Sequence, residues 1–147
     1  MTKSMKPRGV TLIELMMTLV IIVILSTVAI TNYQQWLLKV NREDAKASLL
    51  ALAIAQQQHF TKYLTYSDNL VSLAHQQWPD TTLSQQQNYR LTIATTSHHT
   101  GITERFMITA TAHDTQQKDS ECFTFRIDHQ QFLQAFTQSG EHNNACL

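Results

Sequence analysis

The sequence predicts an α+β fold: one long N-terminal helix, transmembrane in its first half, packed by its second half against a C-terminal antiparallel sheet of three or four strands. Three observations predict it. Val10–Ile30 is a run of 21 residues with a single charge, Glu14, and about 20 apolar residues span a bilayer as a helix. No proline occurs between residues 10 and 78, so nothing breaks the helix early. After residue 88, short segments alternate apolar and polar residues, the period of half-buried strands.

Composition narrows the function classes. The chain has 147 residues, enough for one modest domain. Its 11 basic and 11 acidic residues cancel, which argues against an overall basic nucleic-acid binder. Three glycines and two prolines exclude collagen-like and Gly-rich phosphate-cradling architectures. The mean hydropathy of −0.22 averages an apolar N-terminal run with a Gln- and Thr-rich remainder.

Taken in order, residues 1–9 hold Lys3, Lys6 and Arg8 and no acid. A basic flank keeps that end cytoplasmic and sends the rest of the chain outward. A secretory signal peptide has an apolar stretch of roughly 7–15 residues; this run is longer and lacks a good cleavage site. A plain anchor leaves Glu14 unexplained, because a carboxylate in such a segment is costly and functional by default.

Lys6-Pro7-Arg8-Gly9 followed by Val10-Thr11-Leu12-Ile13-Glu14-Leu15-Met16 resembles the class III signal of type IV pilins and type II secretion pseudopilins. The resemblance implies that a prepilin peptidase cuts after Gly9 and methylates the new N-terminus at Val10. Glu14 becomes the fifth mature residue and pairs with a neighbour's α-amine during assembly. Two departures stand out: Val10 replaces the usual Phe, and the expected helix proline is absent, with Thr31 near Tyr33 instead. Removing the leader leaves 8 basic and 11 acidic side chains, so neutrality belongs to the precursor alone.

Residues 32–64 continue the helix, dense in Ala and Leu. Val40, Ala47, Leu50 and Ile54, with Ala53, Phe60 and Leu64, recur at helical spacing and predict one packed face. Asn41 to Lys46 read as a charged patch near the membrane boundary, where Tyr33 and Trp36 also fall. Residues 65–87 are a connecting loop with a packed turn at Leu70–Leu73 and a second turn at Trp78-Pro79-Asp80. Strands are expected at residues 89–95, 106–112 and 122–128, with a short fourth at 131–136. His98-His99-Thr100-Gly101 and Asp114–Gln117 serve as hairpin loops, and Cys122 shares the face of Thr124 and Arg126. The organisation is thus leader 1–9, transmembrane and filament-core helix 10–31, amphipathic half 32–64 and globular head 65–147.

Cys122 and Cys146 are the two cysteines, and the topology places both outside the cytoplasm, where disulfides persist. A bridge closes a loop of about 25 residues and stabilises by about 3 kcal/mol in the chain-entropy model. The arrangement resembles the C-terminal disulfide-bounded loop of pilins.

Seven histidines show no metal-ligand spacing, and Asp114, Asp119 and Glu121 lack the alternation of a calcium loop. Neither metal nor cofactor is expected. No nucleophile motif, P-loop or dinucleotide fingerprint occurs, so no enzyme is expected either. Arg90, Arg105, Lys118 and Arg126 are the candidate nucleic-acid contacts, with Tyr89 and Phe125 as adjacent aromatics. The competing reading, a plainly solvated sheet face, is favoured because acids are equally dense around them.

The segments Arg42-Glu43-Asp44-Ala45, Leu49-Leu50 and Leu64-Thr65-Tyr66, with the late cysteine pair, look most like PilE-type minor pilins. The implied function is a minor subunit of a type IV pilus, inserted in the bacterial inner membrane, processed, and polymerised or used to prime assembly. Its implied partners are the prepilin peptidase/N-methyltransferase, other pilins and the inner-membrane assembly platform. The alternatives are a DNA-binding competence pilin and a type II secretion pseudopilin.

Overall fold

The computed structural model describes residues 9–73, 82–97 and 103–147, without the side chains of 28–32, 97, 103 and 104. Its order is α1 (Leu12–Tyr63), α2 (Leu70–Leu73), β1 (Tyr89–Ser97), β2 (Thr103–Ala112), a 3₁₀ turn (Asp114–Lys118), β3 (Thr124–Asp128), β4 (Leu133–Phe136) and a final 3₁₀ turn (Asn144–Cys146). The chain divides into two compact units, Met1–Leu37 and Leu38–Leu147.

In the first unit, the large apolar side chains from Val10 to Leu25 are each 52–78% exposed. Thr18, Ser26 and Thr27 satisfy their hydroxyls by donating to the helix's own carbonyls, which removes the cost of an unpaired polar group in an apolar run. Tyr33 and Trp36 pack ring to ring at 5.8 Å. Among the described residues no helix is long and apolar enough to cross a membrane. The expected span 10–31 includes side chains 28–31, which lie outside the described residues.

In the second unit the strands run β1-β2-β3-β4 in one antiparallel sheet. Alternation sorts the side chains. Tyr89, Leu91, Phe106, Ile108, Ala110, Phe125, Ile127 and Ala135 are buried on one face against Ala45, Leu49, Leu52 and Ala53 of α1. Burying each large side chain stabilises by about 1.5–3 kcal/mol. Small Ala45, Ser48 and Ala53 allow close approach of the helix backbone.

The buried helix face corrects the sequence expectation. Val40, Ala47, Leu50 and Ile54 are exposed, and the packed stripe is Ala45, Ser48, Leu49, Leu52, Ala53 and Gln56. Of the second set, Ala53 is buried, Phe60 half-buried and Leu64 exposed. The helix carries two apolar stripes, and spacing alone does not say which one meets a sheet. Polar Ser48 and Gln56 disguised the packed one.

Polar side chains fix the helix register. Gln56 donates to the Ser67 carbonyl at 2.6 Å and accepts from its amide at 2.9 Å. Buried Asp44 accepts from Ser84 Oγ, Gln86 N and Asn88 Nδ2. Thus the segment read as a charged boundary patch is partly core. The helix ends where Leu64 takes φ 57°, the left-handed geometry that closes a helix, with its amide donating to Phe60 O.

Each expected strand shares one boundary with the observed strand and differs by two or three residues at the other. The Asp114–Gln117 loop folds as a 3₁₀ turn, and the expected turns at 78–80 and 98–101 lie outside the described residues. Cys122 precedes β3 and is buried rather than lying on the exposed face of Arg126, because the strand's alternation starts only at Thr124. It is joined to Cys146 with Cα atoms 5.7 Å apart.

Candidate functional site

The outer sheet face is assembled by register. Thr96 opposes Arg105 and Ala94 opposes Met107, which opposes Asp128; Thr92, Thr109, Arg126 and Gln134 form the next rung, then Arg90, Thr111, Thr124 and Phe136. Three of the four sequence-nominated basic residues, Arg90, Arg105 and Arg126, therefore stand on one face, and all three are exposed. Lys118 does not join them; it closes the 3₁₀ turn between β2 and β3.

None of these three arginines forms an ion pair among the described residues. Asp128 is the one carboxylate among the described strand residues of this face. The even mixing of charges in the sequence does not survive folding. Asp44 and Asp119 are buried with partners of their own, and Glu43 takes Lys46 on α1 at 3.0 Å. Guanidiniums without an ion pair among the described residues, on a Thr-rich face, form a surface suited to phosphate contact.

The aromatic partners also change. Tyr89 and Phe125 are fully buried on the inner face, where their rings meet edge to face at 5.7 Å. The aromatic beside Arg126 is Phe136 from β4, its ring centroid 4.7 Å from the guanidinium, and His142 meets Phe136 on edge at 5.4 Å. Sequence reasoning missed this pair because it joins strands 10 residues apart in the chain; opposite parity of adjacent residues in a strand excluded the neighbours it named.

A second constellation was also missed. Arg42 grips Asp119 through two bonds of 2.7 and 3.0 Å. Asp119 further accepts from Gln116 Nε2 and the Cys122 amide. Gln116 also donates to Leu38 O and to Tyr89 Oη at 3.0 Å each, and accepts from Asn41. Burial pushes the Tyr89 phenol well above the usual tyrosine range, and the Asp119 charge adds to that. This network joins α1 to the segment that enters the disulfide. Asp119 and Gln116 read as loop polarity in the sequence, and no local signal marks them as core.

At the other end of the chain, Gly9 and Val10 are exposed ahead of α1, and Glu14 lies in its first turn with its amide donating to Thr11 O at 3.1 Å. No group of three His, Cys, Asp or Glu residues suited to a metal occurs among the described residues.

Residues 31–126 match a family model described as type IV minor pilin ComP, DNA uptake sequence receptor. The chain belongs to this type IV minor pilin family. Residues 4–30 of the pilin also match the prokaryotic N-terminal methylation motif. Over 61 residues it is 43% identical to the type IV major pilin protein PilA of Myxococcus xanthus, a stretch that is 42% of this chain. The chain spans 28% of the length of that curated relative. The non-core minor pilin PilV of Neisseria meningitidis shares the fold, with a TM-score of 0.51 at 11% identity over 74% of this chain and 95% of that one. A type IV pilin of Shewanella oneidensis aligns with a TM-score of 0.45 at 20% identity, over 65% of this chain and 89% of that one. The pilin's long helix and four-stranded antiparallel sheet are those of a structural pilin family.

Proposed function

We propose that this minor pilin is made as a membrane-anchored precursor, cut after Gly9, N-methylated at Val10 and incorporated into a type IV pilus. In this reading residues 1–9 are the leader, 10–31 the membrane and filament-core helix, 32–64 the amphipathic half and 65–147 the head. A prepilin peptidase acts on it in the inner membrane, and an assembly platform then moves it into a filament of other pilins. The observation that carries the reading is the match of residues 4–30 to the methylation motif. The exposed stripe of Val40, Leu50 and Ile54 supports it, since apolar surface of this kind is covered by other helices in an assembly. The mature protein recovered from sheared pili is expected to begin at methylated Val10 by mass spectrometry. Recovery of the intact leader would overturn the reading.

A second activity has its own observation. The face carrying Arg90, Arg105 and Arg126 is read as a DNA-contact surface, in line with the uptake-receptor description of the family. Each guanidinium takes a phosphate or base edge and releases counterions on binding. Replacing Arg90 and Arg126 with Ala together is expected to weaken binding to duplex DNA of every sequence. The slope of log affinity against log salt should fall by about 2, measured by fluorescence anisotropy on the full chain in detergent. An unchanged slope would remove this face from the interaction.

A further inference from the structure

One end of the outer face differs from the rest. A depression of about 320 Å³ opens there, lined by Ala94, Thr96, Arg105, Met107, Asp128 and His129 among others. Ala94 and Met107 are register partners and form an apolar floor; Asp128 faces Met107 from β3. The rim is polar: Arg105 on one side, Asp128 and His129 on the other.

The rim is held in place. Asp128 Oδ1 accepts from the amides of Gln130 and Phe132 at 2.9 and 3.0 Å. Gln131 donates its amide to Asp128 O at 2.9 Å and adopts φ 62°, so the β3–β4 tip is fixed by its own side chain. The other carboxylate oxygen, Oδ2, has no hydrogen-bond partner among the described residues, and Arg105 has neither hydrogen bond nor ion pair among them. A donor fork and a free acceptor therefore flank an apolar floor.

This chemistry does not suit a phosphate, which Asp128 repels. It suits a base pair. Arginine donates to guanine O6 and N7, and a carboxylate accepts from the cytosine N4 amino group. The apolar floor meets the C5–H of the cytosine, a non-polar group on that edge. Arg90 and Arg126 stand on the following rungs with threonines, Gln134 and Phe136 and no carboxylate, so the DNA backbone is tolerated there.

We propose that Arg105 and Asp128 read a G·C pair in the major groove of duplex DNA, with Arg90 and Arg126 holding the adjacent backbone. The proposal rests on the DNA reading above and adds the origin of sequence preference. Phosphate contacts position the duplex, and this end of the face discriminates.

The test is selection from a random duplex pool by the full chain in detergent, with sequencing of the bound fraction. The wild-type chain should enrich duplexes that share one G·C pair, and replacing that pair by A·T should weaken binding about tenfold. Arg105→Ala and Asp128→Asn should each cut that preference to under about threefold. Arg105→Ala should also weaken binding of unselected duplex, because a cation of the face is lost, whereas Asp128→Asn should leave it equal or tighter. Asp128→Asn keeps the Oδ1 acceptor that fixes the turn, so folding is not at issue. A wild-type chain that binds all duplexes alike, or variants that keep the full preference, would overturn base reading and leave the DNA surface standing. Failure to bind any duplex would overturn both.

Discussion

Asp119→Ala is expected to destabilise the head by about 3–5 kcal/mol, the range for removing one partner of a buried ion pair. The Asp119 side chain is 3% exposed and that of Arg42 16%. Deleting the carboxylate leaves Arg42 with an uncompensated charge in a largely dry site. It also strips the acceptor from the Cys122 amide, a buried donor whose loss of partner has a further cost. The measurement is denaturant unfolding of the full chain in detergent, followed by tyrosine fluorescence. An Arg42→Leu/Asp119→Leu double variant should be less destabilised than either single change, because it leaves no lone charge. A loss below about 1 kcal/mol for Asp119→Ala would show that the network is dispensable. The same network gives an alkaline limit. The Tyr89 phenol titrates above its ordinary value of 10.0 in the folded chain. Its contribution to stability is therefore complete below that pH and is lost as pH rises beyond it, where the unfolded chain has released the proton and the folded chain has not.

The physical reason the network was not legible in the sequence is that it is non-local. Arg42 and Asp119 lie 77 residues apart, and Asn41 and Gln116 lie 75 apart. Each residue alone reads as solvated polarity. Strands were legible because alternation is local: Arg90-Leu91-Thr92-Ile93 states its two faces in four letters. The same alternation fixes the parity of Arg90 and Arg126, yet only the strand order and register bring them onto one face with Arg105. The helix was legible in extent and misread in orientation, since Leu49 and Leu50 are both apolar and only packing decides which is buried. The match of residues 4–30 to the methylation motif is by contrast a linear signal, carried by consecutive residues and independent of the fold.

Glu14→Ala is expected to leave synthesis, membrane insertion and cleavage after Gly9 intact while lowering incorporation into pili about tenfold or more. Glu14 is the one charge between Val10 and Ile30. A carboxylate at the centre of a membrane helix costs on the order of 3 kcal/mol, a factor of about a hundred in equilibrium terms. Part of that cost is offset at the start of α1, where the helix dipole favours an anion. The remainder is offset when a cation approaches, and the proposed cut after Gly9 would create one, the α-amine of Val10. A pairing between Glu14 of one subunit and the amine of a neighbour then favours a single axial register among the many that an uncharged apolar run of this kind would tolerate. Alanine removes the cost of the buried charge along with the pairing. The variant should therefore insert at least as well as the wild type and fail at the later step. Glu14→Gln separates charge from hydrogen bonding: it should also incorporate poorly if the ion pair sets the register. The measurement is the ratio of the subunit in sheared pili to that in inner membranes, by quantitative immunoblot. Equal ratios for wild type and Glu14→Ala would show that apolar packing alone sets the register, and would leave the carboxylate without a role in assembly.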